Sequence, residues 1–225
     1  VTTPVSAADE AAIEPDADDI EILPWWRSPL NLAALGVAVL VLGLGLGYWW
    51  ADRSTSANPN DVDIGFLQDM RTHHEQAVNM SMIYLAAARG GGDPVLQNIA
   101  REIATGQSME IGRMVQLLRV WGEDEANMTD QAMAWMDEPV PLDRMPGLAS
   151  EDDLQTLARS TGVDADLTFI RLMTAHHEGG IHMAERAMAD AKEEEVRLMA
   201  ESMVRAQTGD LFELGEIETR LGAAS

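Results

Sequence analysis

Two stretches of this chain repeat one another, and the duplication limits the fold more than any other feature. The first, Asp63–Gly122, contains FLQDMRTHHEQAVNM, and the second, Asp164–Gly222, contains FIRLMTAHHEGGIHM. Phe66, Met70, His73, His74, Glu75 and Met80 align with Phe169, Met173, His176, His177, Glu178 and Met183 at a constant offset of 103. Farther on, Gln107 and Glu110 align with Gln207 and Asp210 at an offset of 100, the difference falling at the extra glycines of Gly90–Gly92. In both copies the pattern steps by four and three: Phe66, Met70, His73, Ala77, Met80, then Phe169, Met173, His176, Gly180, Met183. That spacing puts each set of five on one helix face.

Arg89-Gly90 reads as a helix stop, and Asp93-Pro94 as a cap followed by a first-turn proline. A second helix then runs to about Trp121, with an inner stripe of Ile103, Gln107, Glu110, Met114 and Leu117. The second copy offers Met203, Gln207, Asp210, Leu214 and Ile217. Each repeat is thus a helical hairpin, and two hairpins bury their stripes best as an all-α four-helix bundle. The expected domain spans 62–222, with repeats at 63–122 and 164–222 and a connector at 123–163. The connector carries Pro139, Pro141 and Pro146, and short helices are expected at about Thr129–Asp137 and Glu151–Ser160. A connection this long is usually functional or packs on the domain.

Ahead of the repeats, Leu30 to Trp50 reads LNLAALGVAVLVLGLGLGYWW, 21 residues without a charge. About 20 apolar residues span the hydrocarbon of a bilayer as a helix. Trp25 and Trp26 precede the run, and Tyr48, Trp49 and Trp50 close it, as interfacial aromatic belts do. A cleaved signal peptide would have a basic start and small residues at its end. Here the preceding tail, residues 1–24, is acidic and the run ends in aromatics. The expectation is an uncleaved single-pass anchor over 25–52 behind a disordered tail. Arg27 and Arg53 flank opposite ends, so the positive-inside count is a near tie. The short tail and large following domain favour an extracytoplasmic C-terminal domain.

The net charge of −23 argues against nucleic acid and against docking on anionic lipid, and it concentrates cations near the surface. With no cysteine, disulfides and thiolate metal sites are excluded. Soft donors must come from the 14 methionines, which outnumber the 3 Phe and 2 Tyr. Methionine is also an adaptable core filler.

All five histidines, His73, His74, His176, His177 and His182, lie in the two equivalent helices. His73 and His176 fall on the methionine stripe, and a pseudo-twofold would bring them together at the bundle centre. The first histidine of each pair is expected to face the Gln and acid of the next helix. His74 and His177, off the stripe, are expected at an edge or exposed. His182 replaces Asn79 of the first copy and lies outside the shared design.

Two readings of that centre stand. In one, imidazole and thioether hold a soft metal ion, copper above all, with His73, His176, Met70, Met80, Met173 and Met183 as ligands and His74 and His177 next. Gln107, Glu110, Gln207 and Asp210 then support the ligands from behind. In the other, His–carboxylate pairs simply satisfy one another inside a core. A dinuclear iron or manganese oxidase would need Glu-x-x-His motifs, which the chain lacks.

The motifs Asp69-Met70…His73-His74 and Met173…His176-His177-Glu178-Gly179 resemble those of the bacterial domain of unknown function 305 family. The resemblance covers Val62 to Gly222. Where that family tends to have Met-Pro-Gly-Met before the second half, this chain has Met145-Pro146-Gly147-Leu148. The resemblance implies a ferritin-like helical bundle, often anchored or secreted, with copper binding in some members. The functional expectation is a membrane-anchored metal-binding protein that sequesters copper and catalyses nothing. The alternatives are a structural module of a membrane complex, or a dinuclear oxidase. A homo-oligomer or a membrane-complex partner is compatible with the sequence.

Overall fold

The computed structural model describes residues 24–54 and 57–224, so the acidic tail through residue 23 lies outside the described residues. The chain divides into two compact units after Ser56. In the first, a 3-10 turn at Trp25–Arg27 leads into α1, Pro29–Ser54. Over Pro29–Trp49 the mean hydropathy is 2.2 and the helix buries nothing. Among the described residues this is the one helix long and apolar enough to cross a membrane. Asn31 Nδ2 donates to the Trp25 carbonyl at 3.1 Å, tying the helix start to the aromatic pair.

The second unit is built from α2 (Asp61–Ala87), α3 (Pro94–Trp121), α4 (Glu151–Arg159), α5 (Gly162–Asp190) and α6 (Glu194–Ala224). Helix α2 packs on α3, α5 packs on α6, and α2 and α5 pack on each other. The anticipated caps form. Asp93 Oδ1 accepts from the N–H groups of Val95 and Leu96 at 2.9 and 3.0 Å, with Pro94 in the first turn of α3. Such a cap contributes about 1 kcal/mol.

The core falls into two clusters. One joins Phe66, Leu67 and Met70 of α2 to Met183, Ala184 and Ala187 of α5. The other joins Ala77, Met80 and Tyr84 of α2 to Ala165, Phe169 and Met173 of α5. The start of α2 therefore meets the end of α5, and the two helices run antiparallel. Each stripe of five read from the sequence is buried.

The duplication has a counterpart in the turns. Asp63, fully buried at the start of α2, accepts from the backbone N–H of Lys192 (3.2 Å) and Glu193 (3.0 Å) in the α5–α6 turn. Its equivalent Asp166, at the start of α5, accepts from the backbone N–H of Asp93 (2.9 Å) in the α2–α3 turn. Each hairpin thus holds the other's turn. Asp166 also receives the Tyr84 hydroxyl at 2.6 Å. Burial, and then that bond, push the Tyr84 phenol well above its usual pKa, so it remains a donor.

The connector departs from expectation in its first half. No α-helix forms at Thr129–Asp137. A two-residue ladder instead pairs Gln131–Ala132 with Val140–Pro141, around a 3-10 turn at Ala134–Met136. The reason is Asp69, buried on α2, which accepts from Met133 N–H (2.7 Å), Trp135 Nε1 (2.9 Å) and Asn127 Nδ2 (2.8 Å). A helix could not present those three donors to one carboxylate. Met133 and Asp137 take positive φ of 62° and 63° at the bend. The second expected helix is α4, begun by a Ser150–Asp153 capping box.

Candidate metal centre

Between the two apolar clusters lies a polar layer. His73, His74, His176 and His177 are all fully buried, and Gln107 and Gln207 nearly so. Helices α2 and α5 each supply one His-His pair. Adjacent residues on a helix point about 100° apart. Each pair therefore spans the angle between the facing long helix of the other hairpin and the partner helix of its own.

The first histidines meet each other. The His73 and His176 rings are 3.7 Å apart at their centroids and tilted by 32°. His176 Nε2 donates to the main-chain carbonyl of His73 at 2.8 Å, and His73 Nε2 donates to that of Pro146 at 3.1 Å. This arrangement breaks the internal symmetry: His176 bonds its counterpart's carbonyl, whereas His73 bonds a carbonyl of the connector. The approach depends on glycine. A Cβ on Gly179 would collide with the Pro146 carbonyl. Gly147 lies against the Ala175 carbonyl at φ +83°, which other residues rarely adopt.

The second histidines meet the acids. His74 Nε2 donates to Glu110 Oε2 at 2.8 Å, and His177 Nε2 to Asp210 Oδ2 at 2.8 Å. This corrects two expectations. His74 and His177 are not at an edge, and Glu110 and Asp210 serve them, not His73 and His176. A four-three stripe marks only one face of α2 and α5. Each in fact buries a wide arc, against the other and against its own hairpin partner. His182 is half exposed and reaches Glu138 at 3.0 Å, outside the layer.

The four imidazoles share one feature. Each Nε2 faces an oxygen acceptor, so in the neutral ring Nε2 carries the proton and Nδ1 keeps its lone pair. All four Nδ1 atoms are buried without a hydrogen-bond partner. So are Gln107 Oε1 and both amide atoms of Gln207. Burial, and then the neighbouring His74, hold the His73 pKa down at about 3. Burial and then His73 push that of His176 well below its usual value. Both rings are neutral at physiological pH, as metal ligands must be.

The methionines bracket the layer. Met70 and Met183 belong to the cluster on one side, Met80 and Met173 to that on the other, and all four are fully buried. Among the described residues no three His, Asp or Glu side chains stand together as a ligand group. The acids do not form a carboxylate cage, since one oxygen of each holds an imidazole N–H. Sequence reasoning missed Asp69 and Pro146 as the pieces that fix the connector over the layer. The prolines and the glycine of His-His-Glu-Gly were the available signals.

A profile of the family described as domain of unknown function (DUF305) matches residues 63–217. The chain belongs to the DUF305 family. The domain superposes on a DUF305 protein from Streptomyces coelicolor, described as secreted, with a TM-score of 0.66 and 30% identity, covering 72% of this chain and 94% of that one. A DUF305 fragment from Deinococcus radiodurans gives 0.62 at 23% identity, covering 73% and 99%. CopM in its Cu(I)-bound form gives 0.52 at 24% identity, covering 70% and 96%, and the likeness shows a shared fold. No curated protein matches the chain.

Proposed function

We propose that this DUF305 protein is a membrane-anchored, extracytoplasmic copper-binding protein that sequesters the ion at the histidine layer. The observation that carries the reading is the set of four buried Nδ1 lone pairs whose rings are already oriented through Nε2. Oriented imidazoles with a bare nitrogen are the arrangement of metal-ligating histidines, whose other N–H goes to a carboxylate or carbonyl. A buried polar atom without a partner costs about 1–3 kcal/mol, so each unpartnered Nδ1 favours an occupant that accepts its lone pair. The thioethers of Met70, Met80, Met173 and Met183 add soft donors, which select Cu(I). CopM, of the same fold, is known in Cu(I)-, Cu(II)- and Ag-bound forms. Helix α1, with its aromatic start, supports the anchor.

In this reading His73, His74, His176 and His177 bind and orient, and Glu110 and Asp210 fix the ring tautomers of His74 and His177. The bound ion supplies no chemistry beyond its own retention. The test is Cu(I) competition against a chromophoric chelator, with Met70→Leu/Met183→Leu beside His73→Ala/His176→Ala. Leucine conserves volume, so loss of binding in the methionine variant is not loss of fold. Stoichiometric binding that weakens in both variants supports the reading. A native chain that takes up no Cu(I), and melts identically with and without it, leaves a purely structural histidine layer instead.

A further inference from the structure

The histidine layer is closed on three sides. The two apolar clusters cap it along the bundle, and the connector covers it at Pro146 and Gly147. On the fourth side α3 and α6 touch only sparsely, and between them lies a cleft of about 150 Å³. Glu102, Glu110 and Asp210 supply its charge, and Gln107 and Gln207 line it. Glu110 and Asp210 are partly exposed while their imidazole partners are wholly buried, so each carboxylate bridges solvent and layer. Acidic residues alone would mean little here. The independent observation is Gln207, 2% exposed, lining the cleft with both amide atoms unpartnered, alongside the unpartnered Gln107 Oε1. The Gln207 amide sits in space that only the bare Gly180 leaves on α5, between the cleft and the layer.

We infer that the α3–α6 cleft is the entry port for the cation that the histidine layer holds. This rests on the copper reading above and adds a route to it. Negative charge at the mouth draws a cation from solvent, and the chain's overall −23 reinforces the field. The two amides offer oxygen acceptors partway in, where an ion leaving water needs replacements for its hydration. Beyond them stand His74 and His177. The carboxylates that fix these rings are the same groups that an arriving cation meets first.

The test blocks the cleft without touching a histidine, methionine, acid or amide. Gly106 and Ala206 line it, and a Cβ at Gly106 meets nothing within 4 Å, so Gly106→Leu/Ala206→Leu fills the opening while sparing the core. Gly112→Leu, on α3 away from the cleft and equally unobstructed, is the control. The 225-residue chain in detergent is loaded with Cu(I) from a chromophoric chelator in a stopped-flow instrument, and equilibrium affinity is measured separately. The expected result is association slowed about 10-fold or more in the blocked variant, the scale of a focusing cleft, with affinity and stoichiometry kept. The control loads at the native rate. Native-rate loading of the blocked variant overturns the port and leaves the copper site standing. Loss of equilibrium affinity in it also overturns the port, since the cleft would then belong to the binding site itself. If the native chain binds no Cu(I), the copper reading falls and the port falls with it.

Discussion

His176 donates its ring N–H to the main-chain carbonyl of His73, its own counterpart in the other repeat, at 2.8 Å. The bond ties the middle of α5 to the middle of α2. It also holds two neutral imidazoles 3.7 Å apart in a place where neither tolerates a proton.

Acid should therefore unfold the metal-free domain early. The His73 pKa is held at about 3 against a usual 6.5, and that of His176 is also lowered, so the unfolded chain binds more protons than the folded one in this window. Stability is complete above pH 6.5 and declines as pH falls toward about 3. The slope approaches about 1.4 kcal/mol per pH unit for each imidazole. Denaturant midpoints by far-ultraviolet circular dichroism across that range measure it. A flat profile would show that the two rings are not buried as described.

Asp69→Asn should loosen the connector. The carboxylate accepts three bonds from Asn127, Met133 and Trp135. Asn offers one acceptor oxygen, and its amide would face donors. Bonds to charged groups contribute about 1.5–3 kcal/mol each, and loss on that scale is expected in the melt. Trp135 emission should shift to the red, and proteolysis within 123–150 should speed up.

Gly179→Ala should destabilise by about 1–3 kcal/mol, because the new methyl meets the Pro146 carbonyl and overpacked sites respond on this scale. Gly209→Ala, on α6 with nothing within 4 Å of its Cβ, should instead stabilise by about 0.5–1 kcal/mol through helix propensity. Thermal melts of the two single variants give opposite signs if the connector sits where it is described.

Glu110→Gln and Asp210→Asn keep shape but remove the carboxylates that hold His74 and His177. Copper affinity should fall about 10–100-fold in the pair of substitutions, the usual cost of losing groups behind a ligand. The fold should persist, since both acids are partly exposed. Unchanged affinity would remove His74 and His177 from the ligand set.

Much of this domain was legible in the residues. The repeat offset of 103, the four-three stepping of Phe66 to Met80, and the Asp93-Pro94 cap all act locally or through periodicity. A helix must turn such a stripe to one side whatever surrounds it. The helical hairpins, the membrane-length helix and the meeting of His73 with His176 follow from those local rules and the duplication.

What only the tertiary structure decided is which neighbour each buried group finds. Periodicity names one apolar face, but α2 and α5 each pack on more than one helix, so His74 and His177 are buried too and claim Glu110 and Asp210. Nor does any local signal direct Asp69 to the connector or Pro146 to His73, contacts that span 64 and 73 positions. Local sequence sets the direction of a side chain relative to its own helix. Its partner is set by the packing of other elements and by the need to satisfy every polar atom they bury, and that is a property of the whole domain.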